Sequence, residues 1–190
     1  MKIKSLNPNE YVTGSVSTPC GWAALAVSAS GVAACIWPLV EVSRDNETAG
    51  YCTHQYELKQ AAEALLAYFS GEFGLLKKVS LDGRKLSRWQ RMVYNAVRSI
   101  PPGEVRSYRW VAEECGKRGA SRAVGQALAA NPFPLFVPCH RVIHSDGRPG
   151  NFTCGGSISG SRLKVLLQEW EKGGMGALKE MDRLLRDNRG

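Results

Sequence analysis

Cys139, His140 and Arg141 stand in a row inside an otherwise apolar stretch, with Phe133-Pro134-Leu135-Phe136-Val137-Pro138 before them and Val142-Ile143 after. Polar and reactive groups in such a run are costly to bury unless they are paired or used. Cysteine reacts as its thiolate, and a neighbouring base or positive charge makes that form easier to reach. A Cys beside a His is therefore a candidate nucleophile and base. In an extended strand adjacent side chains point to opposite faces, so the two act together only if the chain turns here or a water bridges them. The alternative is a buried Cys beside a His that is hydrogen-bonded for structural reasons. Further along, Leu163, Leu166, Leu167 and Trp170 define a buried helix face. Glu171 lies at its edge, four residues after Leu167, where a carboxylate can point inward.

The elements that must position these groups follow from periodicity. From Val12 to Val42, apolar runs rich in Val and Ala are broken by Pro19, Gly21, Gly31 and Pro38, a pattern of short strands and turns. Between Tyr56 and Phe69, Leu58, Ala61, Ala62, Leu65, Leu66 and Phe69 recur at helical spacing. A polar stretch, residues 80–85, then separates this half from a more helical one. There, Trp89, Met92, Val93, Ala96, Val97 and Ile100 form one apolar helical face, stopped by Pro101-Pro102-Gly103. Ser107 is placed to N-cap a short helix running to Gly116, and a second helix spans Ser121 to about Asn131. Two short helices joined by a Gly-containing turn suggest a helix-turn-helix. In the second, Val124 and Leu128 should face the core, leaving Arg122, Gly125, Gln126 and Ala129 on the opposite face. That small face could approach a DNA groove closely, or could simply be an Ala-rich helix whose Arg122 is solvated or paired. The expected fold class is α+β: a small N-terminal α/β domain (1–79), a helical C-terminal domain with the helix-turn-helix (80–175), and a charged tail (176–190). In the tail Met181, Leu184 and Leu185 suggest one helical turn without an assigned role.

Composition narrows the class. At 190 residues and 44% hydrophobic content the chain can bury a core without crosslinks. A net charge of +8 favours a polyanionic partner. Neither a membrane-length apolar run nor a signal-peptide pattern is present, so a soluble protein without membrane association, working inside the cell, is expected. The six cysteines form no CxxC pair, and most should be free thiols. Cys20, Cys35, Cys52 and His54 make no convincing zinc set by spacing, so no metal is expected.

The string PCHRVI, together with IPPGEVRSYRWVA, SRAVGQALAANPFPLFVPCHRVI and the downstream Gly160, Lys164 and Glu171, resembles the O6-alkylguanine-DNA alkyltransferase family. The likeness is strong over residues 80–172 and weak over the first β segment. It implies an RNase H-like first domain and a catalytic set of Cys139 as alkyl acceptor, His140 as water-mediated base and Glu171 as its orienting carboxylate. Asn131 would order this network, and Tyr108 would help rotate the phosphate and contact the flipped base. For DNA it implies Ser107, Tyr108, Arg122, Ala123, Gly125, Gln126 and Ala129, with Arg122 filling the space of an extruded nucleotide in the minor groove. For the substrate pocket it implies Val142, Phe152, Thr153, Ser159 and Lys164.

The activity implied is irreversible transfer of a methyl or larger alkyl group from guanine O6, and from thymine O4, in double-stranded DNA to Cys139. No methyl-donor cofactor enters, and the protein would act as a monomer, once, at DNA (in the nucleus of a eukaryote or the cytoplasm of a prokaryote). Phosphate contacts are expected from Arg106, Arg109, Lys117 and Arg118. The chain departs from the family pattern in two places: Cys154–Ile158 looks like an insertion, leaving Thr153 and Ser159 as rival pocket residues, and Gln126 stands where Gly is common. Three other readings are a lesion binder without transfer, opposed by Cys139; a major-groove regulator, which would want base-reading side chains where Gly125 and Ala129 stand; and a cysteine hydrolase, which would turn over repeatedly.

Overall fold

The computed structural model describes residues 7, 10–39, 54–150, 152 and 160–187. It has a mixed α/β architecture, with a three-stranded sheet and six α-helices among these residues. Strands β1 (Val12–Thr18), β2 (Gly21–Ser28) and β3 (Gly31–Leu39) form an antiparallel meander. The central strand β2 alternates as a sheet covered on both faces must: Ala23, Leu25 and Val27 join the main core, while Ala24 and Ala26 join a small second cluster with Ala34. Helix α1 (Gln55–Phe69) lays Ala61, Ala64, Leu65, Tyr68 and Phe69 onto the sheet.

The polar stretch at 80–85 does not hang free between halves. Ser80 and Asp82 exchange backbone hydrogen bonds with Val32 across the edge of β3, and Asp82 is buried against Ser28 and Arg84. Gly31 permits this approach, since it sits at φ 115° and a side chain there would collide with the Ser80 backbone. A second tie runs from the Cys35 amide to the Pro132 carbonyl.

Helix α2 (Arg88–Ser99) begins at a capping box between Ser87 and Gln90. It buries Val93, Tyr94 and Val97, and it fixes α4 (Ser121–Ala129) through two aromatic donors. Trp89 Nε1 donates to the Ala123 carbonyl at 3.2 Å and the Tyr94 hydroxyl to the Ala127 carbonyl at 2.9 Å. Ser107 caps α3 (Tyr108–Glu114) by accepting from the Trp110 amide. Just before it, β4 (Arg106–Ser107) pairs in parallel with β5 (Val142–Ile143), which sets Tyr108 beside the segment carrying Cys139.

Helix α5 (Gly160–Glu171) buries Leu163, Leu166, Leu167 and Trp170 as the periodicity requires. The segment after it, expected as a tail with one helical turn, is instead the helix α6 (Met175–Asp187). Ala177, Met181 and Leu185, four residues apart, bury one face of α6, and the Leu178 carbonyl approaches the Cys20 thiol. No helix among the described residues is long and apolar enough to cross a membrane.

Candidate active site

Asn131 organises the approach to Cys139. Its Oδ1 accepts from the Phe133 amide at 3.0 Å, while Nδ2 donates to the Val137 carbonyl at 3.1 Å and to Cys139 Sγ at 3.5 Å. Phe133, Leu135, Phe136 and Val137 are buried by this turn, with Leu135 held at φ 70°. A non-glycine residue in the left-handed region costs about 1–2 kcal/mol, so packing over-determines the turn. Cys139–Arg141 then form a 3-10 turn. The turn replaces an extended strand, yet His140 Nδ1 makes no direct hydrogen bond to the Cys139 thiol.

His140 is fully buried, the Glu171 side chain is 1% exposed, and Cys139 is 9% exposed, so the thiol is the accessible end of the set. Glu171 is the hub. Its Oε1 accepts from His140 Nε2 at 2.7 Å, Arg141 Nη2 at 2.8 Å and the Tyr68 hydroxyl at 3.0 Å. Its Oε2 accepts from Arg141 Nε at 2.9 Å and the Gly103 amide at 3.1 Å. His140 and Arg141 hold this carboxyl well below the usual carboxylate range despite its burial. An ionised carboxylate only accepts, so His140 must carry its proton on Nε2. Nδ1 then keeps its lone pair, and it is buried without a hydrogen-bond partner among the described residues. Gln168 pins the same residue by donating to the His140 carbonyl.

Burial pushes His140 below its ordinary range, so it rests neutral. Burial also pushes the Cys139 thiol up, against Asn131, Lys164 and the amides of Cys139 and His140, which pull it down. The resting site is therefore a neutral thiol near a neutral imidazole, and reaction needs proton transfer between them. Lys164 is 1% exposed and is brought down to about 8 by burial, with its ammonium 5.6 Å from the Tyr108 ring centre.

Tyr108 joins this interior to the surface. Together with Ser121, Arg122, Gly125, Gln126, Ala129 and His144 it lines an open groove of about 560 Å³. Arg122, Gln126 and Ala129 are exposed there, while Val124 and Leu128 face the core. Ala123 is half-buried and is not part of the groove lining; Ser107 serves as the cap of α3. Val142 and Phe152 are buried. Thr153, Ser159 and the Cys154–Ile158 stretch lie outside the described residues, as does Cys52. Cys20 and Cys35 are buried free thiols.

Three contacts to Glu171 have no counterpart in the sequence argument. Arg141 lay inside the motif but had no assigned partner. Gly103, at φ 76°, signals only a helix stop in the sequence. Tyr68 comes from α1, 103 positions away from Glu171.

A buried thiol backed by an oriented imidazole, opening beside a helix with a small exposed face, defines a nucleophilic-cysteine protein built next to a groove. Its relatives make the class specific. Residues 88–173 match the family model described as 6-O-methylguanine DNA methyltransferase, DNA binding domain. A methylated-DNA–protein-cysteine methyltransferase of Mycolicibacterium paratuberculosis is 37% identical over 130 residues, covering 68% of this chain and 76% of that protein. A DNA base-flipping protein of Thermus thermophilus is 47% identical over 90 residues, covering 47% and 60%. The crystal structure of Mycobacterium tuberculosis OGT in complex with DNA superposes with a TM-score of 0.67 at 33% identity, covering 91% of this chain and 98% of that one. The chain belongs to the methylated-DNA–protein-cysteine methyltransferase family.

Proposed function

We propose that this protein repairs alkylated duplex DNA by moving the alkyl group from guanine O6, and from thymine O4, irreversibly onto Cys139. The observation that carries this reading is the Cys139–His140–Glu171 arrangement, with a basic Nδ1 left open while Nε2 is fixed by an ionised carboxylate. Helices α3 and α4 act as a helix-turn-helix in the minor groove, where the small face of Gly125 and Ala129 suits a narrow space. Arg122 enters the duplex and offsets part of the few kcal/mol that base extrusion costs. Ser107 and Tyr108 serve the DNA side, and Val142, Phe152, Lys164 and either Thr153 or Ser159 serve the flipped base. The sheet and α1 constitute an RNase H-like first domain (1–79), with 80–175 as the DNA-binding and acceptor domain.

His140 Nδ1 takes the thiol proton through a water. The Cys139 thiolate attacks the alkyl carbon in line, the C–O bond breaks, and its electron pair goes to the guanine, where Tyr108 donates to the developing charge. The product is a thioether, which has no carbonyl for water to attack, so each molecule acts once. No methyl-donor cofactor or metal takes part, and the protein works as a monomer inside the cell, at DNA.

The test is a short duplex carrying one O6-methylguanine, mixed with the protein, followed by intact mass and peptide mapping. One methyl per molecule at Cys139, absent in Cys139→Ser, is the expected result. Tight binding to the lesion with no mass gain would instead make this a lesion binder that transfers nothing.

A further inference from the structure

A carboxylate offers about four lone-pair positions, and Glu171 meets five donors. Four of these come from the half of the chain that carries Cys139. The fifth, the Tyr68 hydroxyl, comes from the helix lying on the β-sheet. Tyr68 is fully buried, and it is tied to α5 a second time, since its carbonyl accepts from Trp170 Nε1 at 3.2 Å. Phe73 packs edge-on against both the Tyr68 and Trp170 rings. Burial and the adjacent carboxylate hold the phenol far above its ordinary range, so it stays a donor throughout.

Tyr68 and His140 share one oxygen, Oε1. A donor that stabilises the carboxylate reduces the pull this oxygen exerts on the imidazole proton. We infer that Tyr68 is a positioning residue for the transfer reaction: its hydroxyl sets the basicity of His140 through Glu171, and so makes the sheet domain part of the chemistry. This rests on the proposed role of His140 as base. Glu171, Arg141 and Lys164 are the other titratable groups that act on the imidazole or on its carboxylate. None of these residues is replaced in the phenol variants, so a moved limb reports the hydroxyl and its bond to Glu171.

The experiment is single-turnover transfer from an O6-methylguanine duplex across pH 5 to 9, with DNA affinity and Tm measured alongside. In Tyr68→Phe the acid limb, where His140 becomes protonated, moves up by about half a pH unit or more, while duplex affinity holds within twofold. Replacing Tyr68 by 3-fluorotyrosine, a stronger donor of nearly the same size, moves the limb the other way and does not depend on Tyr68→Phe folding well. Phe73→Leu removes ring packing against Tyr68 and Trp170 while keeping the phenol and its bond to Glu171, and it lowers Tm while leaving the limb in place. An unmoved limb in both Tyr68 variants overturns the inference, and an equal shift in Phe73→Leu does so too, by assigning the effect to packing. Wild-type protein that binds the duplex and transfers nothing would remove the functional reading itself.

Discussion

Glu171 carries more of this site than its distance from Cys139 in sequence suggests. It neutralises a buried guanidinium and fixes the imidazole tautomer with the same two oxygens. Breaking a buried ion pair by removing one partner costs about 3–5 kcal/mol, because the survivor is left uncompensated. Glu171→Gln should therefore unfold at markedly lower denaturant concentration, with alkyl transfer strongly reduced; equal midpoints would show that Arg141 finds another partner. The pH dependence has a defined sign. The folded-state pKa of Glu171 lies below its unfolded value, so its stabilisation is fully present above the ordinary carboxylate range near pH 4–5 and is lost as pH falls further. Acid unfolding followed by circular dichroism should be less steep in Glu171→Gln than in the wild type. Lys164 faces the thiol as a buried cation. Lys164→Met should slow transfer at pH 7.5 and leave duplex affinity nearly intact, as measured by single-turnover mass analysis.

At the scale of elements, local rules decided where helices begin and tertiary donors decided where they sit. The Ser87–Gln90 capping box starts α2, so Ser87→Ala should cost about 1 kcal/mol. In a chain of this size that is a fall in Tm of roughly 2–4 °C by thermal unfolding. Helix α4 is held by Trp89 and Tyr94 from behind and exposes Arg122 in front. Arg122→Ala should slow transfer from duplex DNA at least about tenfold and leave reaction with free O6-benzylguanine unchanged, since only the duplex requires base extrusion. Equal losses on both substrates would place Arg122 in the pocket instead. The buried face of α6 was written in the sequence as Ala177, Met181 and Leu185, four apart. Charged residues between them and the glycines before them hid it.

The whole molecule is a cation of net charge +8. Arg109, Lys117 and Arg118 are exposed on α3 and the turn that follows it, and Arg106, half-buried, precedes α3. Affinity for undamaged duplex should fall steeply with salt, with a log–log slope near −0.9 per phosphate neutralised; each Ala substitution among these residues that removes a phosphate contact should flatten it by about one unit. A salt-independent affinity would rule out backbone contacts as the source of binding.

Sequence alone placed the helices α1 to α5 and the strand-rich start, and with the family likeness it singled out Cys139, His140, Glu171 and Asn131 as candidate site residues. The first two are local, being written in periods of two and 3.6 and in caps and turns, and the reactive group stood out as a polar break in an apolar run. Glu171 could be placed at the edge of a buried helix face, and its pairing with His140 followed only from family likeness. The tertiary structure alone decided that Arg141 and Tyr68 complete the carboxylate's shell, that Gly103 turns an amide into it, and that residues 80–82 lie along the sheet edge. Such contacts join positions up to 103 residues apart. On α1, Tyr68 falls outside the apolar positions whose spacing predicts the helix, and nothing local to it specifies the carboxylate that folding brings against its hydroxyl.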